Sequence, residues 1–177
     1  MQIAPTRSTK TAVAEKTASD IQVGIADYKI APQPNRIITL GLGSCVGVTF
    51  YDPVSKVGGL LHIMLPDSRQ FTGMHKPEKF ADLGIPLLLK EIGRLGGRKS
   101  NIQAKIAGGA QMFSGLNQKI TLNVGERNVE MARKILKEIG IRLMAADVGG
   151  NKGRTMILDT KSGEVTIRTV GTPQKTL

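Results

Sequence analysis

Residues 36–66 read RIITLGLGSCVGVTFYDPVSKVGGLLHIMLP, and the fold turns on how this stretch is interpreted. Its β-branched residues Ile37, Ile38, Val46, Val48 and Thr49 fall in short apolar runs, separated by Gly41, Gly43 and the pair Gly58-Gly59. Branched side chains favour pleated backbone and glycine favours the turns between, so the pattern predicts strand, glycine turn, strand, turn and strand again. The stretch also holds the only cysteine, Cys45, and one of the two histidines, His62. A meander of this kind would bring the two face to face, although seventeen positions separate them.

Ahead of this stretch, residues 1–20 are rich in Thr, Ser, Ala and Lys without sustained periodicity, and a disordered leader is expected there. Residues 21–177 are expected to form a single domain. Residues 21–30 (IQVGIADYKI) alternate as one strand, which Ala31-Pro-Gln-Pro-Asn35 breaks. After the meander, residues 67–78 are polar and aperiodic, long for a loop and so a candidate lid or binding surface. Residues 79–96 carry Leu83, Leu87, Leu88, Ile92 and Leu95 at helical spacing, with Pro86 marking a kink or the start of the main body. Residues 102–107 predict a strand ending in Gly108-Gly109. Residues 124–139 give the clearest helix, lined by Val129, Ala132, Ile135, Leu136 and Ile139 and stopped by Gly140. A strand over 141–148, a glycine turn over 149–153 and a hairpin from 155–159 and 164–170 complete the chain, whose last residues are expected to fray. Strands dominate the first third and alternate with helices later. That order predicts an α+β protein with mixed sheets rather than a pure βαβ array.

The chain of 177 residues, 40% hydrophobic and 22% charged, is large enough to bury a core without staples. One cysteine excludes an internal disulfide framework and suits a reducing cytoplasm. The amino-terminal residues lack the apolar core of a signal peptide, and the apolar runs elsewhere are too short to span a bilayer. A cytoplasmic protein without membrane insertion is expected. A formal net charge of +11 suits either an acidic partner or a solubilising surface. No Trp, two Tyr and four Phe leave few platforms for stacking bases, and the basic residues are spread along the chain. Charge here steers a protein encounter better than it reads nucleic acid.

Cys45 is a candidate nucleophile and His62 its candidate base, a pairing that needs spatial rather than sequence proximity. Cys45 follows a Gly-Leu-Gly-Ser run whose backbone can turn tightly, so the amides at Gly43 and Ser44 are candidate donors to an oxyanion. No acid lies near His62 in sequence to orient its second nitrogen, and Thr39 offers a hydroxyl that would serve. Blander roles exist for each: a small buried hydrophobe for Cys45, a core histidine bonded to backbone for His62, a good strand former for Thr39. A metal site from Cys45, His62, His75 and Asp82 lacks any closely spaced ligand pair, so no metal or other cofactor is expected. Gly149-Gly-Asn-Lys-Gly-Arg154 is similar to a phosphate loop in composition but joins strand to strand, so a turn is expected.

The run Thr39-Leu-Gly-Leu-Gly-Ser-Cys45, with His62-Ile-Met-Leu-Pro66 behind it, resembles the signature of the CheD family of chemoreceptor glutamine deamidases. Agreement continues through Lys79-Phe-Ala-Asp82, Lys105-Ile-Ala-Gly-Gly-Ala110, Gly125-Glu-Arg-Asn128 and Gly149-Gly150-Asn151, and so covers about residues 21–170. The resemblance implies an enzyme that hydrolyses selected glutamine side chains of methyl-accepting chemotaxis receptors to glutamate. Cys45 would be the nucleophile, His62 the general base and acid, and Thr39 the residue that positions the imidazole. It further implies a layered α/β/β/α arrangement with mixed β-sheets, similar to a toxin-type cysteine deamidase fold. A CheC-type phosphatase is an implied second partner, and glutamyl methylesterase activity an implied secondary chemistry. Phe80, where many relatives carry tyrosine, and the divergent residues 114–123 bear on partner choice. Two other readings stay open: a non-catalytic binding regulator of a chemotaxis phosphatase, and a basic nucleic-acid binder.

Overall fold

The computed structural model describes residues 17–74, 76–111 and 123–177. Residues 1–16 of the expected leader, His75 and residues 114–122 of the divergent stretch lie outside the described residues. In chain order the elements are β1 (Asp20–Val23), β2 (Asp27–Pro32), β3 (Arg36–Leu42), β4 (Val46–Asp52), β5 (Val57–Ile63), α1 (Ala81–Arg94), β6 (Gln103–Gly108), α2 (Val124–Glu138), β7 (Arg142–Val148), β8 (Arg154–Asp159), β9 (Val165–Thr169) and β10 (Lys175–Thr176). They form two mixed sheets, ordered β1-β3-β8-β9-β10 and β2-β5-β4-β6-β7. The parallel pairs are β1 with β3 in the first sheet and β6 with β7 in the second.

Side-chain alternation sorts the core into two layers. Val46, Val48 and Phe50 of β4, Leu61 and Ile63 of β5, and Ala104 and Ile106 of β6 face the helices. There they meet Ala81, Ile85, Leu88 and Ile92 of α1 and Ala132, Ile135 and Leu136 of α2. The intervening positions Tyr51, Leu60 and Ala107 face the other sheet and pack with Ile37, Leu42, Met156, Leu158, Val165 and Ile167. Because β4 and β5 are covered on both faces, all their residues are buried, which explains their continuous apolar runs. Gly47 lets the sheets close up, since a Cβ there would sit 2.8 Å from Met156 Sδ. Among the described residues both helices lie on the second sheet and none covers the outer face of the first. The expected four-layer α/β/β/α order is therefore α/β/β over these residues.

Four further sequence expectations are corrected. The stretch 21–30 is two strands in different sheets, broken at Gly24–Ala26, where Ala26 takes a positive φ of 53°. The 36–66 stretch is divided as well: β3 joins the first sheet, while β4 and β5 form a hairpin in the second. Nor does the end of the chain fray, because β10 pairs with β9 and Lys105 Nζ donates to Leu177 O (2.7 Å). The 79–96 helix also shows a different buried face, Ala81, Gly84, Ile85, Leu88 and Ile92, with Leu83 and Leu95 exposed. Its start sets that rotation: the Ala81 N–H donates to Leu65 O, so the helix begins well before Pro86.

Candidate active site

Where the chain crosses from one sheet to the other, three residues make a tight loop. β3 pairs regularly with β8 up to Thr39, then shifts register before Leu42, and Gly41 supplies the positive φ of 68° that this irregularity needs. Gly43, Ser44 and Cys45 then carry the chain to Val46 at the head of β4.

Thr39 projects from β3 into the layer between the sheets, and His62 projects into the same layer from β5; both are fully buried. Thr39 Oγ1 lies 2.8 Å from His62 Nδ1 and donates to Val23 O at 2.9 Å. A hydroxyl has one proton, and a carbonyl can only accept. With that proton directed to Val23, Nδ1 carries a hydrogen and donates to Oγ1, leaving Nε2 as the unprotonated nitrogen. Among the described residues Nε2 has no hydrogen-bond partner. Burial alone holds the imidazole down at about 4, so it is neutral at pH 7.

Cys45 is half-buried and packs against the inter-sheet core. Gly47 stands opposite His62 in the β4–β5 ladder, so Cys45, two residues before Gly47, is the diagonal neighbour of His62 on the same face. Burial pushes the thiol above its ordinary value, opposed more weakly by its own backbone amide. Sγ makes no hydrogen bond to Nε2 here, so the two groups share a face as a neutral thiol and a neutral imidazole. All three chemistry-bearing residues singled out from the sequence thus occupy one site, with Thr39 and His62 in direct contact.

The loop is braced from behind. Ala110 N–H donates to Gly43 O (2.7 Å) and Gly109 N–H to Cys45 O (2.8 Å). Asn128, fully buried on α2, donates through Nδ2 to Ser44 O (2.9 Å) and Met64 O (3.0 Å). Gly43 N–H is itself engaged with Gly41 O at 2.8 Å, so the Gly43 amide is not the free donor its place in the sequence suggested. Among the described residues, the Ser44 and Cys45 N–H groups donate to no carbonyl, and the Cys45 N–H lies against its own Sγ. Sequence reasoning assigned Asn128 no role. Its signal was an amide inside an otherwise small and apolar helix face of Gly125, Ala132, Ile135 and Leu136.

Other candidates have structural work. Asp82 accepts from the N–H and Oγ of Ser68, pinning the start of the 67–78 stretch. Among the described residues no cluster of metal-binding side chains forms, and His75 lies outside them. Residues 149–153 form a turn between β7 and β8, as expected, with Gly149 N–H bound to Gly108 O. A cavity of about 310 Å³ beside this turn, lined by Asp147, Arg154, Thr169 and Lys175 among others, is separate from the Cys45 loop.

The sequence model of a family described as CheD, chemotactic sensory transduction, matches residues 64–169. A protein of Desulforamulus reducens named "Probable chemoreceptor glutamine deamidase CheD" is 65% identical over 162 residues, covering 92% of this chain and 98% of that protein. A protein of the same name from Clostridium kluyveri is 53% identical over 152 residues, covering 86% and 94%. Among solved structures, the hypothetical protein YfiH of Bacillus licheniformis aligns over 71% of this chain and 51% of its own, with 19% identity and a TM-score of 0.45. That likeness is too slight to carry an argument.

Proposed function

This chain belongs to the CheD family, and on that premise we propose that it is a chemoreceptor glutamine deamidase acting through a cysteine thioester. The observation that carries the reading is the Thr39–His62 hydrogen bond, which leaves Nε2 as a base on the face that Cys45 shares. In this mechanism Sγ attacks the glutamine side-chain carboxamide carbon as Nε2 takes the thiol proton. The Ser44 and Cys45 amides receive the oxyanion. The tetrahedral intermediate collapses, His62 protonates the departing ammonia, and a γ-glutamyl thioester remains. Nε2 then deprotonates water, whose attack releases glutamate and restores the thiol. A glutamyl methyl ester would follow the same course with methanol leaving, the secondary activity of this reading. The gap between Sγ and Nε2 closes when substrate binds, since catalytic hydrogen bonds are often long in the unliganded state.

The substrate is a methyl-accepting chemotaxis receptor, and a CheC-type phosphatase is the second partner of this reading. Residues 21–177 act as one domain in the cytoplasm. Among the described residues no helix is long and apolar enough to cross a membrane. The layered mixed sheets are consistent with the toxin-type cysteine deamidase fold.

Mass spectrometry of receptor cytoplasmic fragments tests the proposal. Incubation with the protein should add about one dalton per converted amide, the difference between NH2 and OH, with ammonia released. Cys45→Ala and His62→Ala should abolish this, and Thr39→Ala should lower it about 100-fold by freeing the imidazole to take the wrong tautomer. Normal turnover by Cys45→Ala would remove the mechanism. If Cys45→Ala still bound a CheC-type phosphatase while no receptor yielded ammonia to the wild type, a non-catalytic regulator would replace the enzyme.

A further inference from the structure

Three successive carbonyls of the Cys45 loop are held by neighbouring donors: Gly43 O by Ala110 N–H, Ser44 O by Asn128 Nδ2 and Cys45 O by Gly109 N–H. In a trans peptide the carbonyl and the following N–H point opposite ways within one rigid plane. Fixing Gly43 O therefore fixes the Ser44 N–H, and fixing Ser44 O fixes the Cys45 N–H. Two of the three clamps are backbone to backbone. The middle one, which sets the amide of the nucleophile itself, is made by a side chain alone.

A polar amide fully buried in an apolar helix face is costly unless bonded. Asn128 uses both Nδ2 hydrogens on carbonyls of the site, Ser44 O and Met64 O, while its Oδ1 has no partner among the described residues. The residue is thus tolerated here for what it donates. Met64 directly follows the β5 strand that carries His62, so one amide links the loop of the nucleophile to the strand of the base.

We propose that Asn128 is a positioning residue for the deamidation reaction, aiming the Cys45 N–H at the developing oxyanion by holding the Ser44 carbonyl. The assignment rests on the deamidase reading given above. Asn128 touches neither the sulfur nor the substrate in this scheme; it acts through the 44–45 peptide plane.

Two readouts separate this role from that of a simple brace. Ammonia release from receptor fragments passes through an oxyanion, whereas alkylation of Cys45 by iodoacetamide is a displacement at saturated carbon and develops none. Asn128→Asp keeps the shape but can only accept at the relevant atom, and Asn128→Ala serves if the aspartate variant does not fold. The expected result is kcat lowered about 10- to 100-fold, below the full loss of an oxyanion donor, with KM within about threefold. Over the same comparison the rate and pH profile of Cys45 alkylation should stay within about twofold of wild type, because Asn128 contacts neither thiol nor imidazole and burial outweighs the Cys45 amide in setting the thiol. Unchanged kcat in a folded variant would overturn the proposal. So would alkylation falling in step with turnover, which would make Asn128 a brace for the whole loop. An inactive wild type would instead overturn the deamidase reading, and this assignment with it.

Discussion

At the level of single residues the site is notable for its neutrality. A carboxylate beside an imidazole orients the ring and stabilises its cation, while a hydroxyl does only the first. Thr39 therefore fixes the tautomer of His62 without raising its basicity, and burial takes the imidazole down to about 4. In the unfolded chain a histidine titrates near 6.5, so between about pH 6.5 and 4 the unfolded chain binds a proton that the folded one does not. The stability contributed by neutral His62 is thus fully present above about 6.5 and is lost as pH falls towards 4, with a slope approaching 1.4 kcal/mol per pH unit. Urea titrations of wild type and His62→Gln at neutral and mildly acid pH should show the wild type losing up to about 2 kcal/mol more than the variant on acidification. Parallel losses would mean that the imidazole does not resist protonation in the fold. Thr39, Cys45 and His62 stand out in the sequence because few residue types can do the proposed chemistry. Asn128 was not, because only its contacts distinguish a buried donor from an exposed helix polar residue.

At the level of elements, the loop is shaped by how closely α2 approaches the end of β6. A Cβ on Gly125 would lie 2.7 Å from Gly109 O and 2.8 Å from Ala110 O, and these are backbone atoms that cannot swing aside. Gly125→Ala should therefore push the first turn of α2 away from the segment that clamps Gly43 O and Cys45 O. A loss of about 1–3 kcal/mol in unfolding free energy is expected, the usual range for overpacking, together with reduced turnover. Denaturant melts and ammonia assays on the one variant check both, and wild-type values in each would refute the tight docking. The α2 stripe was readable from periodicity, but the face of α1 was not. Its rotation follows from where the chain enters the helix at Ala81, which a run of leucines does not reveal. In the same way, residues 21–30 alternate smoothly across a break between sheets, because local pattern reports burial and not which sheet supplies it.

At the level of the whole molecule, the net charge of +11 bears on encounter more than on chemistry. Turnover of a receptor fragment of net negative charge should lose at least about tenfold in kcat/KM as salt rises from about 0.05 to 0.5 M, while alkylation of Cys45 by neutral iodoacetamide should not change. Salt-independent kcat/KM would argue against steering. The two-sheet architecture has a further effect. The hydroxyl that orients the ring is anchored to one sheet and the ring to the other, 2.8 Å apart across a seam of interdigitated side chains. A sideways slip of roughly an ångström between the sheets would sever that hydrogen bond while leaving each ladder whole. Under the proposed mechanism activity is therefore a gauge of the protein's own lamination: small voids opened in the seam, far from the sulfur, should silence it while its spectrum still reports a folded protein.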